Sequence, residues 1–473
     1  MLALDSQAGR IEFCRVRFIT TGIYGKMEGV MAGLLETEVE RLRRTLSAEL
    51  VQRGEEGCDI GHFVDHFERF PIETLEESEI HKYLLQISEL PTREDFMFDE
   101  PSDLESIRTA RPDSHPVPAT NDGEYGDRLR GAWLGRCAGC CLGKPVELWA
   151  RAEIRSLLDG AGIEDLREYL PYLDPSPAGR AYHRSAMSAT RGHIDGMPRD
   201  DDIDYMILAL NVLEAHGPDV STSDFGLAWL DSLPINKVFT AERAAYLNMM
   251  KGVPIRDVPH FENPYREWIG AQIRADVLGY VLPGRPESAA ELAFRDASIS
   301  HVKNGIYGEM WAAATIAAAF GVDDPITAIR IGLNQIPAES RLYVALTQTL
   351  EWCQELDAWT DVAQRIDDAF YKYHPVHTIN NACYVVLSLA HGNGDFARTV
   401  GIAVECGADT DCNGATAGSI LGATLGADAI PEAWVLPFHD RVKTDVAGMG
   451  DLRISDLIDR TMGLGQGAFA SVE

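Results

Sequence analysis

Two clusters of aspartate are the residues of this chain whose types and spacing point most directly to chemistry. Asp200, Asp201 and Asp202 are adjacent in RDDDIDY, and Asp409 and Asp411 flank a threonine in GADTDCNG. Capping of helix N-termini explains either cluster alone, but capping uses only one or two carboxylates per helix. Adjacent carboxylates repel one another unless cations neutralise them, and oxygen-only donors suit Mg²⁺ or Mn²⁺ rather than Zn²⁺. The clusters therefore predict a divalent-metal site, provided that the fold brings them together.

Helices are predicted to position both clusters. Apolar residues at three- and four-residue spacing follow the first cluster and predict a helix that begins there: Ile203, Met206, Ile207, Leu210 and Leu213. Small residues from Gly414 through Gly426 follow the second cluster and predict a helix packed closely on its neighbours. A third predicted helix has a flat face for close approach of another backbone, because every fourth residue is glycine: Gly131, Gly135, Gly139 and Gly143. Pro145 ends this helix, so Glu147 lies on the turn that follows.

These motifs together resemble the ADP-ribosylglycohydrolase family, which includes the ADP-ribosylarginine hydrolases and the dinitrogenase reductase activating glycohydrolases. The family's Thr-Asp-Asp-Thr run is matched here by Asp200, Asp201, Asp202 and Ile203, and its Asp-Thr-Asp-Thr run by Asp409, Thr410, Asp411 and Cys412. Its glycine-rich first helix and closing glutamate are matched by GAWLGRCAGCCLGKPVE, which ends at Glu147. The similarity runs from about Asp127 to about Val435.

The resemblance implies an all-α fold, a compact multi-helix catalytic domain that hydrolyses a glycosidic bond at C1 of a ribose. It implies two Mg²⁺ ions, with Mn²⁺ as the alternative, and these ligands: Asp200, Asp201, Asp202, Asp409 and Asp411. Glu147, which by itself reads as an ordinary surface glutamate, is then the general acid or base. Three residues depart from the family pattern because they replace threonines: Asp200, Ile203 and Cys412. These replacements leave the geometry and the preference of the metal site open.

A weaker similarity covers IGAQIRADVLGYVLPG and SHVKNG, which look like the family's substrate-loop region. It implies substrate contacts by five residues: Gly270, Ala271, Arg274, His301 and Asn304. An ordinary junction between a helix and a turn explains the first segment equally well, and a single histidine decides nothing.

Residues 1–100 lie outside the resemblance and are predicted to form a small N-terminal helical extension. Its apolar pattern from Met27 to Leu50 predicts one long amphipathic helix after a short strand at IEFCRVRFI. Either a small helical domain or an arm that pairs two chains fits this extension. Residues 101–122 contain four prolines and few apolar residues, so they are predicted to be a linker or a strap over the catalytic domain, residues 123–470.

Composition narrows the class of protein and its partners. The formal charge of −31 argues against binding to nucleic acid or anionic lipid, and no uncharged run has the length of a membrane span. Nine scattered cysteines predict reduced thiols and a cytoplasmic location. The family resemblance implies an ADP-ribosylated or otherwise ribosylated substrate as the partner.

Three functions are compatible with these features. The first is a metal-dependent hydrolase that removes ADP-ribose from modified protein, and the second is an N-glycosidase that acts on a small ribosylated nucleotide or nucleoside derivative. The third is a noncatalytic relative, since the family resembles some crystallins. Such a relative is expected to lose its acidic ligands, whereas five aspartates and Glu147 persist here.

Overall fold

The described chain is built almost entirely from helices, as predicted. The computed structural model describes residues 37–112, 123–183 and 185–472. The helices before the first aspartate cluster are α1 Glu38–Glu55, α2 Gly61–Arg69, α3 Glu77–Ser88, α4 Leu104–Ala110, α5 Tyr125–Gly143 and α6 Arg151–Ala161. Those between the clusters are α7 Asp201–His216, α8 Thr222–Ser232, α9 Thr240–Met250, α10 Asp276–Tyr280, α11 Pro286–Ala297, α12 Asn304–Ala319, α13 Pro325–Leu333, α14 Arg341–Glu355, α15 Trp359–Phe370, α16 Thr378–Gly392 and α17 Phe396–Glu405. The last are α18 Thr410–Leu425, α19 Glu432–Val435 and α20 Ile454–Gln466.

One small sheet completes these elements. Strands β1 Arg441–Lys443 and β2 Asp451–Arg453 are antiparallel, with Val442 opposite Leu452. No helix within the described ranges has the length and apolar character needed to cross a bilayer. The all-α class predicted from the sequence is confirmed.

Helices α5 and α18 pack against each other in opposite directions through glycines on both faces. A Cβ added at Gly139 would lie 1.9 Å from the carbonyl oxygen of Gly414, and one at Gly135 would lie 2.2 Å from that of Gly418. Gly131 meets Gly422 in the same way, with 2.4 Å to its carbonyl oxygen. The predicted flat face is confirmed, and its partner is the small-residue helix after the second aspartate cluster. The contact therefore brings the end of α5 beside the start of α18.

Replacing Gly139 with valine is expected to destabilise the fold by about 3 kcal/mol or more, because the new side chain meets backbone that cannot rotate away. Gly463 in α20 is the matched control, since nothing lies within 4 Å of an added Cβ there. Gly463→Ala should be neutral or stabilising by up to about 1 kcal/mol, because alanine favours helix. Chemical denaturation of both variants checks this, and a Gly139→Val chain as stable as wild type would show that the helices are not in close contact.

The N-terminal extension has a hydrophobic core of its own and docks on the catalytic domain. Helices α1, α2 and α3 contribute apolar residues that include Leu46, Phe67 and Ile80. The predicted helix from Met27 is observed from Glu38 onward, where a Thr37 capping box begins it. The predicted strand at IEFCRVRFI and residues 27–36 lie outside the described residues. Pairing of two chains through this extension stays a prediction.

Buried polar contacts join α1 to the segment that precedes α10. Arg266 donates to Glu49 at 2.7 Å and to Glu56 at 2.9 Å, and all three side chains are buried. Gln52 donates to Glu267 at 2.8 Å. Because buried charges require partners, the extension supplies groups that the catalytic domain needs.

Glu55 on the same helix predicts a pH dependence of stability. Its side chain is 3% exposed and lies 3.8 Å from Nε2 of His377. Burial raises the pKa of Glu55 to about 8, although the Arg341 charge acts in the opposite direction. The contribution of the protonated Glu55 carboxyl to the free energy of unfolding is fully present below the pKa of about 4.3 that the group has in the unfolded chain. This contribution is lost as the pH rises toward the pKa of the group in the folded chain.

We therefore expect Glu55→Gln to gain stability relative to wild type as the pH is raised from about 5 to about 8, because glutamine does not ionise. Other titrating groups are common to both chains, so the difference isolates Glu55. Denaturant unfolding at the two pH values measures it, with exposed Glu89→Gln as the control. If the difference in unfolding free energy between wild type and Glu55→Gln were the same at both pH values, the prediction would be contradicted.

The stretch predicted as a Pro-rich linker contains a helix and follows the surface of the catalytic domain. Helix α4 begins after Asp103, whose carboxylate accepts from the Ser106 amide, and it ends before Pro112. Arg341 donates to Glu100 at 2.8 Å, and Arg108 pairs with Glu291 of α11. The assignment of residues 101–122 as a linker or a strap stays a prediction, and residues 113–122 lie outside the described ranges.

Candidate metal centre and active site

Three chain segments meet at the end of α5. After this helix a single 3₁₀ turn, Lys144–Val146, leads to Glu147. The next residue, Leu148, donates its amide to the carbonyl of Ala408 at 2.9 Å, and the Ala408 amide donates to Trp149 at 3.2 Å. The Thr410 hydroxyl donates to the Gly143 carbonyl at 2.8 Å. These bonds fix Glu147 beside the second aspartate cluster, and α7 delivers the first cluster to the same place.

Carboxylates from all three segments converge in two donor groups. Glu147, Asp409 and Asp411 each place an oxygen within 4.8 Å of the others, and we call these residues the oxygen group. Asp202, Asp411 and Cys412 also place ligand atoms within 4.8 Å of one another, and we call these residues the sulfur group. Asp411 belongs to both. Two clusters far apart in sequence therefore form one site, as the metal prediction requires.

Asp200 and Asp201 lie outside both donor groups. The Asp200 carboxylate accepts from the Lys144 ammonium and from the Asp202 amide, so it caps α7 and neutralises a partly buried lysine. Asp201 is 29% exposed, and one oxygen lies 3.6 Å from the Arg199 guanidinium. Their predicted role as metal ligands stays a prediction, and the structure gives both of them protein partners.

Asp411 and Glu147 at the convergence resist ionisation, whereas Asp200 does not. Burial and then the Glu147 charge hold the pKa of Asp411 well above its usual range. Water reaches part of Glu147, yet the packed atoms around its carboxyl and the nearby Asp409 charge raise the pKa of Glu147 to about 8. Burial also opposes ionisation of Asp200, but Lys144 outweighs it and holds the pKa of that carboxyl below its ordinary value.

A divalent cation fits these donors. Asp411 is 4% exposed, and its Oδ1 atom is buried without a hydrogen-bond partner. Buried polar atoms in native structures are nearly always paired, so an unpaired carboxylate oxygen among other carboxylates is suited to contact with a cation. Carboxylate oxygens are the donors that Mg²⁺ and Mn²⁺ prefer.

Comparison with known proteins decides the family. The sequence model of the ADP-ribosylglycohydrolase family matches residues 121–467. The chain belongs to the ADP-ribosylglycohydrolase family. It is therefore a hydrolase of glycosidic bonds, and the family's substrates are of the ADP-ribose type.

A solved structure described as an ADP-ribosylglycohydrolase-related protein complex is similar to this chain. The two share 19% identity with a TM-score of 0.47, and the match covers 73% of this chain and 99% of the other. A search of curated proteins finds no match. The resemblance drawn from the aspartate clusters and the glycine helix is confirmed by the family match.

Arg136 holds Asp202 of the sulfur group in place. This arginine of α5 is fully buried and donates to Asp276 at 2.8 Å and to the Asp202 carboxylate at 3.3 Å. It also donates to the Asp202 carbonyl at 3.0 Å and to the Ile273 carbonyl. Sequence reasoning missed this residue, because nothing in the spacing of α5 indicates which remote carboxylates meet it.

Arg136→Met is expected to destabilise the fold by about 3–5 kcal/mol, since two buried carboxylates lose their cation. Arg130→Met on the same helix is the matched control, because Arg130 is exposed and should change stability by less than about 0.5 kcal/mol. Thermal and denaturant unfolding of both variants tests this. Equal stability of Arg136→Met and wild type would show that the Asp202 and Asp276 contacts contribute little.

The five residues predicted to contact substrate are buried and pack against other residues of the protein. Arg274 donates to Glu242 at 2.6 Å and also to Asp296, and its guanidinium lies 4.8 Å from the Trp229 ring centroid. A Cβ at Gly270 would lie 2.0 Å from the Glu242 carboxylate. Ala271 is fully buried next to these residues in sequence.

His301 and Asn304 are likewise enclosed. His301 is fully buried, with Nδ1 2.8 Å from the Ser300 hydroxyl. Asn304 donates to Glu267 at 2.7 Å and to Glu100 at 2.8 Å. Substrate contact by this set stays a prediction. Arg274 and Asn304 already have partners within the protein, whereas the buried Nε2 atom of His301 has no hydrogen-bond partner among the described residues.

Two further groups at the site were not predicted as site residues. Lys144 pairs with Asp200, and its place in the GKPVE segment, three residues before Glu147, is the available sequence signal. Asn381 of α16 accepts from the Asp409 amide at 3.2 Å and from Asn413 at 2.8 Å. Both residues orient the acidic segments, and Asn381 is distant from them in sequence.

Proposed function

We propose that this chain hydrolyses the glycosidic bond at C1 of the ribose in an ADP-ribosyl adduct, and that it requires divalent metal ions held between the two aspartate clusters. The main support for the proposal is that Asp411 belongs to both donor groups and that its buried Oδ1 atom has no hydrogen-bond partner. The family assignment supports the type of bond. The matched residues 121–467 support a catalytic domain of residues 123–470.

Asp202, Asp409 and Asp411 are the residues proposed to hold the ions. The oxygen group suits Mg²⁺, with Mn²⁺ as the alternative. When bound, such ions orient substrate oxygens and stabilise developing negative charge. Two donor groups support two ions, as the family resemblance implies.

Glu147 is proposed as the general acid or base. Departure from a sugar carbon builds oxocarbenium character, and a carboxyl that transfers a proton at the leaving atom assists it. Burial of the carboxyl and then the Asp409 charge raise the pKa of Glu147 to about 8, which favours the protonated form near neutral pH and suits donation of a proton to the leaving group. Backbone bonds on both sides of the second cluster hold the Glu147 turn in place.

An aromatic stack and a backbone contact follow the proposed acid in the chain. Trp149 follows Glu147 by two residues and stacks on Tyr182 with centroids 5.2 Å apart, and Arg180 donates to the Leu148 carbonyl at 3.0 Å. The eight cysteines within the described ranges are free thiols, which supports the proposed cytoplasmic location.

A panel of adducts tests this function. Purified full-length protein is incubated with ADP-ribosyl-arginine, ADP-ribosyl-serine and free ribosyl nucleotides, each with Mg²⁺, Mn²⁺ or chelator, and released ADP-ribose is measured by chromatography. Metal-dependent release from either adduct is expected. Hydrolysis of the ribosyl nucleotides alone would replace the proposal with the small-molecule N-glycosidase, and no hydrolysis of any compound would contradict both.

A further inference from the structure

The two donor groups differ in the atoms they present. The oxygen group consists of carboxylates alone, whereas the sulfur group adds the thiol of Cys412 to Asp202 and Asp411. All three members of the sulfur group are buried, with exposures of 5% for Cys412, 1% for Asp202 and 4% for Asp411. The chain therefore provides two unlike positions that share one carboxylate.

Cys412 lies at the boundary between the main hydrophobic core and the acidic site, and its thiol contacts a carboxylate of that site. Its Sγ atom lies 3.3 Å from Oδ2 of Asp202, to which the thiol donates. It occupies the first turn of α18, directly after Asp411, and the α5 contact through Gly143 and Thr410 fixes that turn. A second, independent observation is the buried Oδ1 atom of Asp411, which has no hydrogen-bond partner.

A thiol and a hydroxyl at this position select different ions. Mg²⁺ binds oxygen and disfavours sulfur, whereas Zn²⁺, Co²⁺ and Fe²⁺ bind thiolate together with carboxylate. Metal binding displaces the thiol proton to solvent, so the ligand is the thiolate. The all-oxygen donor set that argued against Zn²⁺ thus describes only one of the two positions.

We propose that Asp202, Asp411 and Cys412 bind a thiophilic divalent transition-metal ion through the Cys412 sulfur, while Asp409 and Asp411 hold a hard ion next to the proton-transferring Glu147. This inference rests on the proposed function, because both require a divalent ion at Asp411. The site is then a mixed-metal centre whose two positions differ in metal preference. Replacing Cys412 with threonine should convert the sulfur position into an oxygen position.

Spectroscopy of the cobalt-loaded protein tests the ligand directly. The chelator-treated full-length chain is titrated with Co²⁺ alone, and the near-ultraviolet sulfur-to-cobalt charge-transfer band is recorded for wild type, Cys412→Thr and Cys412→Ser. Cys353→Ser is the matched control, since Cys353 lies on α14 outside both donor groups. Circular dichroism confirms that each variant is folded.

Wild type and Cys353→Ser are expected to show the band, and both Cys412 variants are expected to lose it. Competition titrations should also show that the preference for Zn²⁺ over Mg²⁺ falls at least about tenfold in Cys412→Thr. Co²⁺ binding to folded wild type without the band, or a band that persists in both variants, would overturn the inference and leave metal-dependent hydrolysis standing. Failure of wild type to bind Co²⁺, Zn²⁺ or Mg²⁺ would overturn the metal requirement as well.

Discussion

Replacing Asp411 with asparagine is expected to lower the affinity for divalent ions by at least about 100-fold and to reduce hydrolysis to background. Asp411 is the one residue common to both donor groups, and its Oδ1 atom has no protein partner that would retain its position. Asparagine preserves the volume of the side chain but removes its charge. The loss should therefore appear in metal binding, while the fold is retained because a buried carboxylate repulsion is relieved.

Isothermal titration calorimetry of Mn²⁺ into both chains measures the affinity, and ADP-ribose release measures the activity. Asp428→Asn is the matched control, because Asp428 is exposed just beyond the opposite end of the same helix. That variant should bind ions and hydrolyse substrate like wild type. Unchanged ion affinity in Asp411→Asn would show that the two clusters do not share an ion through this residue.

Replacing Glu147 with glutamine is expected to lower kcat by about 10²- to 10⁴-fold, the usual contribution of a general acid or base. Ion affinity should fall far less than in Asp411→Asn, because Asp409 and Asp411 remain in the oxygen group. This contrast separates proton transfer from metal ligation, since Glu147 has the geometry for either role. Single-turnover kinetics and calorimetry on the same preparation provide both values.

Glu164→Gln is a suitable control for Glu147→Gln, because Glu164 is exposed and lies outside both donor groups. It should leave kcat and ion affinity unchanged. If Glu147→Gln loses ion affinity as completely as Asp411→Asn, Glu147 is a ligand rather than the proton donor. Full activity in Glu147→Gln would remove this residue from the reaction.

The features of the site that were predictable are those with local sequence signals. The four-residue spacing of glycine in α5 indicated a close helix contact, and that contact sets the position of Glu147. The apolar spacing from Ile203 onward indicated the helix that Asp200 caps. Each signal is a property of a few adjacent turns, so it does not depend on knowing which remote segment is the partner.

The features that were not predictable depend on pairing between distant segments. Nothing near Arg274 indicates that Glu242 and Asp296 neutralise it, and a free arginine near a glycine is as compatible with substrate binding as with a buried ion pair. The same reasoning applies to Lys144, because nothing near it in sequence indicates that it pairs with Asp200. The docking of α1 through Glu49 and Arg266 likewise requires the fold to be known.

The central claim is that an ion held at the shared Asp411 is required for cleavage of an ADP-ribosyl bond. The most direct measurement is the release of ADP-ribose by wild type from a mixture of ADP-ribosyl-arginine and ADP-ribosyl-serine. Release is measured after chelator treatment and again after addition of excess Mg²⁺ or Mn²⁺, and Asp411→Asn is measured in parallel. We expect release that chelator abolishes, that added metal restores in wild type, and that no metal restores in Asp411→Asn. Release that continues at the same rate in excess chelator, or in Asp411→Asn, would contradict the account.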